Sequence, residues 1–307
     1  VPVTDDTADI DVTDTHVHVF DPARFAYARE RSYTPGEATL AHLSEQRQRL
    51  GVCRTVLVQP SVYGTDNACL LDALSSLGSA RARGIAVADL QRVTRSALAA
   101  WDRLGVRGLR LNLEVRHESD PEQVRAQLRQ AAALVDIKGW CVQVHCASPL
   151  LPVVEEVLPA FRVPVVLDHF AGLRAADAAA DSPGLRVLLR LLDSDARGRV
   201  YVKLSAFYRA STQAPHYADL APLAQALIAA RPDRLLWGSD WPHTGGGGVR
   251  RDARAIEPFR TVDLAASLAA LQSWCPDAAV LRRILADNPA ELYGFSTPSA
   301  TPCRGTA

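Results

Sequence analysis

Residues 106–146 read VRGLRLNLEVRHESDPEQVRAQLRQAAALVDIKGWCVQVHC. A short apolar run opens the stretch, an amphipathic helical segment rich in Ala, Leu and Arg fills its middle, and a second apolar run closes it. This is one strand–helix–strand unit. The same pattern extends outward in both directions. Candidate strands fall at 12–20, 54–60, 84–90, 106–113, 139–146, 163–169, 199–206 and 234–240. Helices are expected near 38–50, 67–82, 95–104, 121–136, 149–161, 183–194 and 217–230, and again near 263–273 and 277–293. Strands alternating with helices predict a parallel sheet of the α/β class. Eight such units predict a closed (β/α)8 barrel, the TIM barrel. The alternative is an open doubly wound sheet, and the absence of a Gly-x-Gly-x-x-Gly turn after the first strand weighs against it. No domain boundary interrupts the alternation. Residues 1–295 are read as one barrel domain with extra C-terminal helices, and 296–307 as a flexible tail.

Composition narrows the function classes. The chain has 307 residues, 48% hydrophobic and 22% charged, which suffices for a large core. Lys+Arg and Asp+Glu stand at 34 each, so no global field favours nucleic acid or an anionic membrane as partner. The cysteines at 53, 69, 141, 146, 275 and 303 form no Cys-x-x-Cys pair and no zinc-finger spacing. They read as free thiols in a reducing compartment. The N-terminal segment has no signal-peptide pattern, and no apolar run approaches the length of a membrane span. The expectation is a cytoplasmic protein acting on small molecules, as a monomer or a homo-oligomer. Gly245-Gly246-Gly247-Gly248, beyond the eighth strand, is expected to be a mobile loop or lid, because four glycines in a row do not hold one conformation well.

In such barrels chemistry sits at the carboxyl ends of the strands, and the polar residues of this chain gather there. Strand 1 carries Asp14, His16 and His18, which share one face because residues two apart on a strand point the same way. Strand 2 runs into Gln59-Pro60-Ser61, and strand 4 carries Arg110 and Asn112 with Arg116 just beyond. Strand 5 ends at His145 and strand 6 at Asp168-His169. Strand 7 carries Lys203 and Ser205 with Arg209 beyond, and strand 8 ends in Asp240-Trp241-Pro242-His243. Solvated strand tips would explain any one of these residues. Convergence of four histidines and an aspartate from four strands predicts a shared pocket.

His16-Val17-His18, Asp168-His169 and Trp237-Gly238-Ser239-Asp240-Trp241-Pro242-His243 resemble the amidohydrolase superfamily, in its amidohydrolase-2 branch. Ser32-Tyr33-Thr34-Pro35, the segment from Gln59 to Asn67, Gly84-Ile85-Ala86-Val87-Ala88 and Gly108-Leu109-Arg110-Leu111-Asn112 are similar to the 2-pyrone-4,6-dicarboxylate lactonases and related lactonases within it. The likeness spans strands 1 to 8. It implies that His16, His18, His169 and Asp240 are catalytic, and that Arg110, Arg116 and Arg209 receive substrate carboxylates with support from Tyr33 and Ser61. His243 follows the aspartate and is placed with the substrate-binding residues. The pyrone lactonase has a tyrosine at the end of strand 5, where this chain has His145. That departure, and the glycine loop, leave the substrate open.

Lactone hydrolysis needs a nucleophilic water, a stabiliser for the oxyanion and a proton route to the leaving oxygen. Asp240 can serve as general base. The imidazoles admit two readings. Without metal, as the resemblance allows, they donate hydrogen bonds to the carbonyl oxygen. Alternatively one divalent ion, zinc or manganese, is held by His16, His18, His145 or His169, and Asp240. A binuclear site is disfavoured, since strand 4 offers Asn112 and no bridging lysine or carboxylate. The arginines point to an anionic substrate, because a guanidinium fork grips a carboxylate in two places. A lactone bearing carboxylates, or a sulfonate as in 4-sulfomuconolactone, fits that reading. Alternatives are a metal-dependent aromatic acid decarboxylase, a lactone isomerase and a simple binding protein, the last disfavoured because a binder has no need of a general base. His42, His117 and His216 are expected to face solvent, Trp237 and Trp241 to pack, Cys146 to point away from the site, and Asp168 and Lys203 to line the barrel or support its ligands.

Overall fold

The first strand meets the last across the mouth of the molecule. The backbone N–H of Asp240 donates to the carbonyl of His16 at 2.9 Å, and that of His18 donates to Trp241 at 2.9 Å. These bonds, with a parallel bridge between Val17 and Trp241, close a sheet of eight parallel strands. The strands are β1 (Thr13–Val17), β2 (Arg54–Val58), β3 (Ala82–Ala86), β4 (Val106–Asn112), β5 (Cys141–His145), β6 (Val165–Leu167), β7 (Val200–Ser205) and β8 (Leu235–Gly238). Each pairs in parallel with the next in sequence, which is the (β/α)8 barrel expected. The computed structural model describes residues 10–114, 118–136, 139–179, 182–194, 197–245 and 252–296. Arg116, His117, Gly246-Gly247-Gly248 and the tail beyond Ser296 lie outside them.

Seven helices follow the strands: α1 (Leu40–Leu50) precedes β2, and α2 (Ala68–Leu77), α3 (Arg95–Arg103), α4 (Pro121–Leu134), α5 (Leu151–Val157), α6 (Pro183–Ser194) and α7 (Ala221–Ala230) fill the later crossovers. Local chemistry sets their ends. Thr94 caps α3 by accepting from the Ala97 amide, and Asp120 accepts from Glu122 with Pro121 in the first turn of α4. Gly51, at φ 66°, ends α1 in the left-handed region. Beyond β8, α8 (Leu264–Trp274) packs on the outside, and a helical run through Ala278–Arg282 and Asn288–Tyr293 turns under the barrel. Among the described residues no helix is long and apolar enough to cross a membrane.

Two cores result. The larger lies between barrel and helices and holds Leu43, Leu74, Leu98, Leu128, Leu188 and Leu223, each at most 1% exposed. Each such side chain contributes about 1.5–3 kcal/mol by leaving water. The smaller core is inside the barrel. Cys141, Val166, Tyr201 and Leu236 pack there with Val56, Val58 and Ile85, and Leu292, Tyr293 and Phe295 close the floor. Because inward residues recur every second position, the next layer up is Gln143, Asp168, Lys203 and Gly238, and the one above it is His145, Ser205 and Asp240. Along β5 to β7 the barrel interior thus changes from apolar to polar within two residues.

One expected boundary moves. The third strand was expected at 84–90 and lies at Ala82–Ala86. Arg83 sits inside it, buried, with Nε donating to the Tyr293 carbonyl at 3.0 Å and a terminal nitrogen to Gly294 at 2.6 Å. The apolar run Val87-Ala88 instead leads away from the strand end.

Candidate active site

Asp240 is the centre of the polar layer. Its Oδ1 lies 3.5 Å from Nε2 of His16, 3.5 Å from Nε2 of His18 and 4.0 Å from Nε2 of His169. Its Oδ2 accepts from the Tyr208 hydroxyl at 2.5 Å and from Nε of Arg209 at 3.3 Å. The carboxylate is 4% exposed. Burial opposes its charge, but His169, His18 and Arg209 around it outweigh that and hold its carboxyl well below the usual range.

Backbone conformations that side chains seldom adopt build this convergence. His169, Phe170 and Ala171 are consecutive left-handed residues, at φ 51°, 54° and 56°, and Asp240 and His243 stand at φ 60° and 69°. Such conformations cost roughly 1–3 kcal/mol each and concentrate at functional sites. Gly238 is required where it is, because a Cβ there would stand 2.7 Å from the Cβ of His16. Asp14 fixes the same seam. Its Oδ1 accepts the backbone N–H of His16 at 3.1 Å and that of Ser239 at 2.9 Å. Burial raises its pKa to about 6.

Beneath Asp240 lies a second carboxylate, Asp168, fully buried. Its Oδ1 is 3.3 Å from Nδ1 of His16 and 3.7 Å from Nζ of Lys203. Its Oδ2 accepts from Nε of Arg110 and from Nε2 of Gln143, both at 3.1 Å. Lys203 also donates to Gln143 and to the Thr15 carbonyl, each at 2.8 Å. Burial disfavours the charge on Asp168, and His16, Arg110 and Lys203 overcome it. Burial lowers Lys203 to about 8. Asp168 and Lys203 are therefore an internal ion pair under the histidines, in the supporting position expected for them.

The histidines present their Nε2 atoms inward because their Nδ1 atoms are engaged. Nδ1 of His18 is 2.7 Å from the Val58 carbonyl, which can only accept, so it carries the proton. Nδ1 of His16 stands between Oδ1 of Asp168 at 3.3 Å and Nζ of Lys203 at 3.4 Å, and Nδ1 of His169 is 2.8 Å from Oγ of Ser205. Burial drives both His16 and His169 down to about 3, which leaves these rings neutral. Nε2 of His16 is buried and has no hydrogen-bond partner. Neutral imidazole nitrogens turned on an ionised oxygen are a donor set that would hold a divalent cation. Ligand atoms around a tetrahedral ion with bonds near 2.0–2.1 Å lie about 3.3 Å apart, and Oδ1 of Asp240 stands 3.5 Å from Nε2 of His16 and of His18. His16, His169 and Asp240 bring ligand atoms within 4.8 Å of one another. The donor set fits such an ion.

His145 is turned aside from this set. Its Nδ1 is 3.5 Å from a terminal nitrogen of Arg110, and its ring meets that of His169 edge-on at 4.8 Å. Arg110 is 5% exposed and engages Asp168, so a large part of its fork is spent inside the protein. Arg209 is the more open arginine, with 38% of its side chain exposed. It reaches the Thr244 hydroxyl at 3.3 Å, and Tyr33 is hydrogen-bonded to Thr244 and Ser61. Arg209, Thr244, Tyr33 and Ser61 form a polar rim above the histidines. His243 lines a neighbouring cavity with Glu37, His42 and Phe259, and burial lowers it to about 4. His42 and His216 are exposed, Trp237 is core, and Cys146 is buried, as expected.

The amidohydrolase family model matches residues 13–295, from the first strand to the floor of the barrel. The chain belongs to the amidohydrolase family. It is 34% identical to 4-sulfomuconolactone hydrolase of Rhizobium radiobacter over 282 residues, covering 92% of this chain and 89% of the relative. It is 31% identical to a 2-pyrone-4,6-dicarboxylate hydrolase of Comamonas testosteroni, covering 91% and 89%. A solved structure from Pseudomonas putida, assigned as a 2-pyrone-4,6-dicarboxylic acid hydrolase, superposes with a TM-score of 0.75 at 31% identity and covers 94% of this chain and 99% of that one. In this amidohydrolase the sequence reading missed Tyr208 and Gln143. Gln143 carried a signal: its parity on the strand with His145. Tyr208 carried none, because its position depends on a turn.

Proposed function

We propose that this amidohydrolase opens the ring of a small anionic lactone by water attack. The observation that supports this best is the Asp240 carboxylate, ionised and facing three imidazoles at the barrel mouth, with the Arg209 rim above it. Asp240 takes a proton from the attacking water and returns it to the ring oxygen as the C–O bond breaks, so that one carboxylate serves as base and then as acid. Arg209 holds the substrate's anionic group at the rim, with the hydroxyls of Thr244, Tyr33 and Ser61 alongside. Arg110 acts from below, fixing Asp168 and thereby His16. A divalent ion, zinc or manganese, held by His16, His18, His169 and Asp240, would polarise the lactone carbonyl and acidify a water. The engaged Nδ1 of His18 favours this reading over direct hydrogen bonding, since a ring whose single proton is on Nδ1 presents a lone pair on its inward nitrogen, while Nδ1 of His16 stands between an acceptor, Asp168, at 3.3 Å and a donor, Lys203, at 3.4 Å and can take either role. His169 keeps a choice, because Ser205 can donate or accept.

The test is a panel of 2-pyrone-4,6-dicarboxylate, a sulfonated muconolactone and a neutral aldonolactone, each assayed with and without added zinc or manganese. Ring opening of an anionic member, faster than of the neutral one, is expected. Carbon dioxide release from an aromatic acid with no lactone turnover would favour the decarboxylase instead.

A further inference from the structure

The two oxygens of Asp240 have separate surroundings, and one residue does most to keep them so. The chain leaves β7 through Ala206, in a left-handed conformation at φ 50° and ψ 49°, and enters a single helical turn, Phe207–Ala210. That turn brings Tyr208 and Arg209 onto the same oxygen, Oδ2, at 2.5 and 3.3 Å, while Oδ1 faces the imidazoles. The terminal torsion of an aspartate is broad and roughly two-fold. Nothing within Asp240 itself therefore sets the plane of its carboxylate. Arg209 makes the longer contact and is partly exposed. The Tyr208 ring is fixed from several sides. The guanidiniums of Arg209 and Arg260 lie over it at 5.1 and 5.4 Å, and the ring of His243 meets it edge-on at 5.7 Å.

We propose that Tyr208 is the positioning residue for Asp240: its hydroxyl sets the plane of the carboxylate so that one oxygen is presented to His16, His18 and His169. Arg209 and Arg260 hold the phenol in place for that purpose. This inference rests on the role given to Asp240 above, and its test is separable from it.

Tyr208→Phe keeps the ring under both guanidiniums and removes only the hydroxyl. The lactone opened fastest by the unaltered protein is the substrate, and zinc is the metal probe, its affinity measured by competition with a chromophoric chelator. Supporting ligands of this kind are worth about 10–100-fold in activity or metal affinity. The expected result is a kcat lower by about that factor, KM changed less than about two-fold, and zinc bound at least about ten-fold more weakly. A variant that keeps both kcat and zinc affinity overturns the proposal. So does one whose kcat falls only in step with its melting temperature, with zinc binding unchanged, as a merely structural contact would give. If no lactone is opened at all, the functional reading fails alone and the zinc titration still decides the role of Tyr208. A crystal structure of the variant with the Asp240 plane unmoved overturns the proposal in every case.

Discussion

Both ends of the barrel set arginines against oxygen atoms, and they use them differently. At the mouth, Arg110 and Arg209 answer carboxylates, Asp168 and Asp240. At the floor, Arg83 and Arg54 donate mainly to backbone carbonyls, those of Tyr293, Gly294 and Ser296, with Asp11 3.8 Å from Arg54, and lie over the ring of Phe295 at 4.6 and 5.5 Å. A carbonyl already bonded to a guanidinium has no reaction to perform. A carboxylate facing imidazoles does. The same residue type therefore ties down the C-terminal segment at one end and shapes a reactive site at the other. Burial lowers Arg83 to about 10, still charged at neutral pH, so the floor keeps its clamp under ordinary conditions.

The contrast is broken most directly at Asp240. Asp240→Asn should lower kcat by about 10²–10⁴-fold, the range for a general base, while the denaturant midpoint holds or rises. Retention of full turnover would remove the mechanism. Arg83→Ala is the mirror image. It should cost about 1.5–3 kcal/mol of stability, the value of hydrogen bonds from a charged donor, with KM and kcat intact in the cold. Urea melts beside steady-state rates would show whether the two ends are as independent as they look. Arg209→Ala should raise KM roughly ten-fold, about 1.4 kcal/mol. If the neutral aldonolactone suffers as much as the anionic lactones, the rim does not read charge.

The smallest effect concerns pH. Burial holds His243 at about 4, against an ordinary value of 6.5. The unfolded chain therefore takes up a proton that the folded chain refuses. The stability this imidazole contributes is present above about pH 6.5 and is lost as pH falls towards 4. His243→Gln should flatten the drop in melting temperature between pH 7 and pH 5, by about 1–2 kcal/mol of stability. An equal drop in both proteins would assign it elsewhere.

The barrel was legible because its strands are apolar runs at regular spacing and need no partner to be recognised. The third strand shows the limit. Ala82 reads as the end of a helix, and Arg83 as outside the strand, until the carbonyls of Tyr293 and Gly294, some 210 residues away, are seen to satisfy the guanidinium. His16, His18, His169 and Asp240 were legible for a related reason: strand parity and strand ends place them without knowledge of any contact. Arg110, expected to receive a substrate carboxylate, also engages Asp168. Its contact with Asp168 reaches across β5, from β4 to the end of β6, and no local pattern announces it. Tyr208 lies one residue before Arg209. Only the left-handed turn at Ala206 brings its hydroxyl onto Asp240.

The seam between the first and last strands carries one more consequence. Asp14 bonds Ser239, His16 bonds Asp240, and Gly238 nests against His16. Closing the barrel and assembling the reactive centre are thus one event. On the ribosome, the histidines of β1 emerge early and wait for partners more than two hundred residues behind them. A nascent or truncated chain that ends before β8 carries half a centre and an open sheet edge, so catalytic competence reports that the whole barrel has been made.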